Sequence, residues 1–210
     1  EGPECSAYLA ELPCGNSTYE HDLSWTPDFS GECDDELSGY RLYYTSDGED
    51  SQFELIAELS SLNLSTTIRN LATYRGCYYI TAVDRSGNES EPSNVVCVEN
   101  CPSYTLPNAF TPNGDGANET FMAFDNPFSQ CPRFVLGVEI FIVNRWGVEV
   151  FSYNSLESTE NDIYIRWDGK DKNGNELPAG TYYYSGNVLF DVLDPAAAER
   201  SLKGTIQILK

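Results

Sequence analysis

Residues 138–151 read Val138-Glu139-Ile140-Phe141-Ile142-Val143-Asn144-Arg145-Trp146-Gly147-Val148-Glu149-Val150-Phe151. Two runs of β-branched and aromatic side chains flank Asn-Arg-Trp-Gly, a pattern that predicts a hairpin: a strand over 138–143, a turn carrying Arg145, Trp146 and Gly147, and a return strand over 148–153. Further runs of the same kind predict strands at 121–124, 163–167, 181–189 and 205–209. Between them lie Thr111-Pro112-Asn113-Gly114-Asp115-Gly116 and Asp168-Gly169-Lys170-Asp171-Lys172-Asn173-Gly174-Asn175, turn segments dense in glycine and side-chain oxygens. No segment has a helical period, so the second half of the chain is predicted to be a small β-sandwich.

The first half gives the same class by a different route. Short period-2 runs at 19–25, 40–45, 53–59, 66–71, 77–83 and 95–98, with an opening strand near Tyr8, are separated by turn residues such as Asp47-Gly48 and Asp84-Arg85-Ser86-Gly87-Asn88. Six or seven strands at that spacing make a sandwich. A cut near Cys101-Pro102 leaves 19 acidic and 4 basic residues before it, a net of −15, and 14 acidic and 8 basic residues after it, a net of −6. The expected organisation is therefore all-β, two tandem Ig-like β-sandwiches, at 1–101 and 102–210.

The whole chain of 210 residues carries a net charge of −21, whose field repels phosphate backbones and anionic bilayers. No apolar run is long enough to span a membrane as a helix. The lone histidine, His21, and seven cysteines without paired Cys-x-x-Cys knuckles leave little from which to build a zinc site. Disulfides are the expected use, in an oxidising compartment. If Gly87 is a hairpin tip, Cys77 and Cys97 lie ten residues to either side and face each other; Cys101 with Cys131 is the second expected pair. Cys5, Cys14 and Cys33 then supply at most one more, and one cysteine is left over. Glu1-Gly2-Pro3 has neither the basic nor the apolar region of a signal peptide, so the chain is expected to be the trailing part of a longer exported protein.

Two resemblances sharpen this reading. Leu23-Ser24-Trp25, Gly39-Tyr40-Arg41-Leu42-Tyr43-Tyr44 and Tyr79-Ile80-Thr81-Ala82-Val83-Asp84, then Gly87-Asn88-Glu89-Ser90 and Pro92-Ser93-Asn94, resemble the B, C, F and G strands of a fibronectin type III domain. In that register the usual corner tyrosine falls on Gly76, so Tyr74 or Tyr78 takes its role or the corner is absent, and Trp25 is expected in the core. The second half is more specific. Leu106-Pro107-Asn108-Ala109-Phe110-Thr111-Pro112-Asn113-Gly114-Asp115-Gly116-Ala117-Asn118, Ile140 to Gly147, Trp167-Asp168-Gly169 with Gly174-Asn175, Pro178-Ala179-Gly180-Thr181-Tyr182-Tyr183-Tyr184 and Gly204-Thr205-Ile206-Gln207-Ile208-Leu209-Lys210 resemble, in order, the gliding-motility-associated C-terminal domain, a type B sorting domain of the type IX secretion system. Val143 and Glu119 depart from the usual aromatic and aspartate. The resemblance implies an address at the end of a cell-surface or secreted protein of a Gram-negative bacterium. The address is read as a folded domain by the outer-membrane translocon with a small outer-membrane barrel protein. A binding module for carbohydrate or protein, as at an adhesin tip, and a passive stalk are the alternatives. The first of these would show an exposed row of aromatics drawn from Tyr40, Tyr43 and Tyr44.

Candidate recognition residues are Asn144, Arg145, Trp146 and Gly147 in the turn, with Gly204 and Lys210 bounding the final strand. Arginine and tryptophan are frequent interface anchors; equally, Trp146 could cap the sandwich with Arg145 packed over an aromatic ring. Asn113, Asp115, Asn118 and Glu119 offer oxygens suited to calcium, and the same residues are good turn chemistry. For Asp168, Asp171, Asn173 and Asn175 the turn reading is favoured, because Asn173-Gly174 suits a hairpin and two lysines adjoin. No Gly-x-Ser-x-Gly, His-Glu-x-x-His or phosphate-binding loop is present, so the expectation is no enzyme, no small-molecule substrate, no nucleic acid and no required cofactor, with calcium as the one candidate ion.

Overall fold

The computed structural model describes residues 18–27, 36–124, 131–159 and 162–210. Tyr8, Cys5, Cys14 and Cys33 lie outside them. The described chain is all-β and divides between Asn100 and Cys101 into two compact units.

In the first unit β1 (Tyr19–Ser24) pairs antiparallel with β4 (Ser65–Leu71). A second sheet has the order β3-β2-β5-β6, from β3 (Glu54–Ser60), β2 (Leu37–Thr45), β5 (Gly76–Asp84) and β6 (Val96–Val98). Strand alternation puts Tyr40, Leu42 and Tyr78 into the interior, joined by Tyr19 and His21 from β1. Trp25 is half-buried, edge-on to Tyr40 with ring centroids 5.5 Å apart. At the corner the Tyr78 hydroxyl meets His21 Nδ1, and Tyr44 bonds back to the chain: its ring lies where a Cβ on Gly76 would sit, 2.2 Å away, and its hydroxyl donates to the Arg75 carbonyl at 3.1 Å. Gly76 is glycine because Tyr44 occupies that space.

The β5 turn follows its sequence. Asp84 Oδ1 accepts the Ser86 and Asn88 amides, and Gly87 takes a φ of 87°. Pro92 cannot donate to a ladder, and here β6 shortens to three residues. Upstream of it, Ser90 and Ser93 donate backbone N–H to the carbonyls of Ala82 and Ile80 while their hydroxyls accept the amides of the same two residues. Two serine side chains thus stand in for missing backbone acceptors. Cys77 and Cys97 are direct register partners and form the expected disulfide. Cys101 and Cys131 are each disulfide-bonded, but the expected Cys101–Cys131 pair is not among the described bridges.

The second unit is built on one five-stranded sheet, β7-β11-β10-β8-β9. β8 (Val135–Val143), β9 (Glu149–Asn154), β10 (Gly180–Phe190) and β11 (Glu199–Ile208) are antiparallel neighbours, and β7 (Ala109–Phe110) runs parallel to the end of β11. Val138, Ile140 and Ile142 on β8, Tyr182 and Val188 on β10, and Ile206 and Ile208 on β11 form the inner face. It is covered by Phe110, Phe121, Ile165 and Trp167 from largely irregular segments. The strands expected at 121–124 and 163–167 are not formed, leaving one bridge, Phe121 to Trp167. Ile165 and Arg166 take φ of 77° and 55°, which no strand tolerates and which bring Trp167 into the core. Conversely β11 begins six residues earlier than the expected 205.

Two outcomes follow. His21 is buried, with Nδ1 2.8 Å from the Tyr78 hydroxyl, and burial holds its pKa below the ordinary 6.5. The unfolded chain takes the proton first, so the first unit is fully stable above pH 6.5 and loses stability as pH falls below it. Denaturant titrations from about pH 7.5 to about pH 5.5 will show this slope, and His21→Phe will flatten it. In the second unit Trp167→Ala, followed by far-UV circular dichroism in urea, will lose about 3–5 kcal/mol, and Trp167→Phe about 1–3 kcal/mol because the Lys170 carbonyl loses its indole donor.

Candidate functional site

The β8–β9 turn is a self-supporting scaffold for two side chains. Asn144 donates its N–H to the Val148 carbonyl, its own carbonyl accepts from Gly147, and its Oδ1 accepts the amides of Trp146 and Val148, each at 3.0 Å. Gly147 at φ 79° closes the turn without the penalty a Cβ would bring. Asn144 and Gly147 therefore build the turn, and Arg145 and Trp146 are what it displays. Trp146 does not cap the sandwich: it is 71% exposed, with the Arg145 guanidinium 4.1 Å from its ring centroid. The pair is a planar cation laid on an indole in water.

The other two candidate recognition residues have different jobs. Gly204 faces inward, where a Cβ would meet the Tyr184 hydroxyl at 2.6 Å and its ring at 2.7 Å. Lys210 pairs with Glu176 at 2.9 Å, and this contact is the first cause of the lowered Glu176 pKa. Two features escaped the sequence reading: Phe141 and Tyr183 lie outward on the same sheet, exposed, with Lys203 alongside. The signal was present in the alternation. Phe141 interrupts Ile140 and Ile142, and Tyr183 interrupts Tyr182 and Tyr184, so one aromatic in each triplet had to face solvent.

The candidate ion loop is occupied with its own backbone. Asp115 Oδ1 accepts the Ala117 amide at 2.8 Å, Asn113 Oδ1 accepts the Asp115 amide, and Glu119 Oε1 accepts the Gly116 amide. Asn118 takes φ 53° and its carbonyl accepts from Thr111. The Ala117 amide and then Asn113 hold the Asp115 carboxyl below its usual range. In the 168–175 segment Asp171 accepts from the side chain and the amide of Asn175 and from the Asn173 amide, and these, the Asn175 side chain first, lower its pKa in the same way. Among the described residues no three His, Cys, Asp or Glu side chains converge on one point. His21 is in the core of the first unit, with Nδ1 on the Tyr78 hydroxyl.

The tyrosines of β2 divide by face. Tyr40 is buried, Tyr44 is half-buried on Tyr78, and Tyr43 stacks on Tyr79 on the outer face at 4.7 Å with its hydroxyl donating to Glu89. Glu89 also accepts from Thr81 and Arg41, and these three donors, Thr81 first, hold its carboxyl down to about 2. With Tyr43 and Tyr79 stacked on each other and Tyr40 inside, the three do not form a row of open ring faces.

Against known proteins, a sequence model of the CHU_C type IX secretion signal domain matches residues 104–208. No curated protein sequence matches the chain. Among solved structures, a two-domain fibronectin type III segment of chicken tenascin is 14% identical, with 93% of this chain and 95% of that chain covered at a TM-score of 0.40. The fibronectin type III domain of human fibronectin type III domain containing protein 3 is 18% identical, with 51% and 93% covered at a TM-score of 0.33. The fibronectin(III)-like modules of Clostridium thermocellum CbhA are 13% identical, with 90% and 84% covered at 0.27. Through residues 104–208, half its length, the chain belongs to the CHU_C type IX secretion signal domain family.

Proposed function

We propose that the second unit is read as a folded address by the type IX outer-membrane translocon, with a small outer-membrane barrel protein assisting, and that the first unit is a spacer between this address and exported cargo. The observation that carries the reading is the coincidence of the family match with one folded core. The match runs from Tyr104 to Ile208, and both residues are buried in the same cluster, 5% and 1% exposed. The matched segment thus begins and ends inside one core. The exposed Arg145–Trp146 pair supplies a feature a receptor can recognise, and export places the protein on the surface of, or outside, a Gram-negative cell. No catalysis and no resident cofactor enter this reading. Support for that comes from the loop carboxylates, each engaged with backbone amides, and from the single histidine being packed in a core.

The test is a fluorescent protein with an export signal, fused to residues 102–210 or to 1–210, in a bacterium with type IX secretion. Both fusions will reach the surface or medium only when the translocon is intact, and Trp167→Ala will lower export in proportion to the unfolded fraction. Folded fusions held in the periplasm would overturn the address reading. Calcium and a chelator will each move the thermal midpoint by less than about 1 °C; a larger calcium-dependent rise would restore the ion reading of Asn113, Asp115, Asn118 and Glu119.

A further inference from the structure

The outer face of the five-stranded sheet carries a patch whose chemistry differs from the rest of the molecule. Phe141 and Val143 are two apart on β8 and so share this face; Tyr183 on β10 is the register partner of Val143. Phe141 is 37% and Tyr183 46% exposed. The strip ends at the β8–β9 turn, where Trp146 and Arg145 stand in solvent. Lys203, on β11, is the register partner of Ser185, which is itself the partner of Phe141.

The charges are sorted around it. In the second unit Arg166, Lys170, Lys172 and Lys210 are ion-paired, and Arg200 lies over Phe190 with a bond to the Tyr104 carbonyl. Glu149, the carboxylate beside Val143 on this face, is taken by Lys172. Arg145 and Lys203 make no ion pair among the described residues, and both border the apolar strip. Glu139, two residues before Phe141 on the same face, makes no ion pair among the described residues either, so in a chain of net charge −21 the strip is cationic toward the turn and acidic at its other end.

We infer that this face, with Phe141, Val143 and Tyr183 at its centre and Arg145, Trp146 and Lys203 at its rim, is the docking surface for an acidic protein partner that presents apolar side chains between carboxylates. The inference rests on the address reading above and identifies the partner as the translocon component that receives the domain. Exposed apolar surface bordered by polar groups marks interaction sites. Unpaired rim cations on an otherwise acidic protein orient its approach to an acidic partner and resist docking by any other face. Aromatic residues and arginine supply most of the energy at such surfaces.

The experiment uses residues 1–210 behind an exported fluorescent reporter in cells with type IX secretion. Arg145→Glu with Lys203→Glu will reduce export about tenfold or more, with folded protein accumulating in the periplasm. Phe141→Ser with Tyr183→Ser will do the same, and Arg85→Glu, an exposed reversal in the first unit, will not. Thermal unfolding of each purified chain checks that the outer-face variants remain folded. A photo-crosslinker at Tyr183 will form an adduct with a translocon component, and the double charge reversal will abolish it. Wild-type export by both double variants, or an adduct only with a second copy of this chain, overturns the docking surface while leaving the address reading intact. Failure of the unaltered chain to leave the cell overturns both.

Discussion

The indole of Trp167 is the contact on which the second unit depends. It is 1% exposed and touches Phe110, Phe151 and Tyr182 from three strands of the main sheet and Phe121 from its irregular cover. Its Nε1 donates to the Lys170 carbonyl at 2.9 Å, and its backbone exchanges both hydrogen bonds with Phe121. One residue therefore fills the centre of the core, satisfies the hairpin that follows it and fastens the irregular cover to the sheet. Reaching that place requires Ile165 and Arg166 in left-handed conformations, of order 1–3 kcal/mol each, which packing of this size offsets. The same contact explains why two distant turn segments occur together. Gly169 has φ 79°, and a Cβ there would stand 3.2 Å from Phe110 and 3.4 Å from Pro112, so the Trp-Asp-Gly turn and the Phe-Thr-Pro segment are fitted surfaces of one joint.

The first unit is held by a different balance. Its interior is aromatic and partly polar: Tyr19, His21, Tyr40 and Tyr78 with Tyr74 and Trp25 alongside, and only Leu42 as a buried aliphatic of the described sheet. The His21 Nδ1–Tyr78 and Tyr44–Arg75 bonds satisfy part of this polar interior, while His21 Nε2 and the Tyr40 hydroxyl are buried without a hydrogen-bond partner among the described residues. The covalent link between Cys77 and Cys97 and the serine substitutes for ladder acceptors hold its outer strand where a proline interrupts pairing.

Much of this was legible in the sequence, for reasons that can be traced to particular residues. The β8–β9 hairpin announced itself because alternating apolar residues and a glycine turn require nothing from elsewhere, and Cys77–Cys97 followed from symmetry about Gly87. The 163–167 segment misled because Ile163, Ile165 and Trp167 alternate as a strand does, while the dihedrals that bury them are set by the Trp167 pocket. β11 was read too short because 199–204 places its inward positions on Leu202 and Gly204, and the glycine is there to receive Tyr184. The Tyr44 corner was invisible for a similar reason: the partner of Gly76 comes from another strand. What sequence reads poorly is a position defined by a neighbour distant along the chain.

The same distinction separates the fold from the site. Within Asn144-Arg145-Trp146-Gly147, two residues are explained by the turn they make, and two are not required by any contact of the core. Phe141, Tyr183 and Lys203 are likewise outside the core, yet they come within one face only because β8, β10 and β11 are in register. No stretch of unfolded chain contains that arrangement, since its members are spread over sixty residues. A surface of this construction exists once the Trp167 core has formed and is lost when it melts; under the proposed reading, the signal is competent only while the domain that carries it is folded.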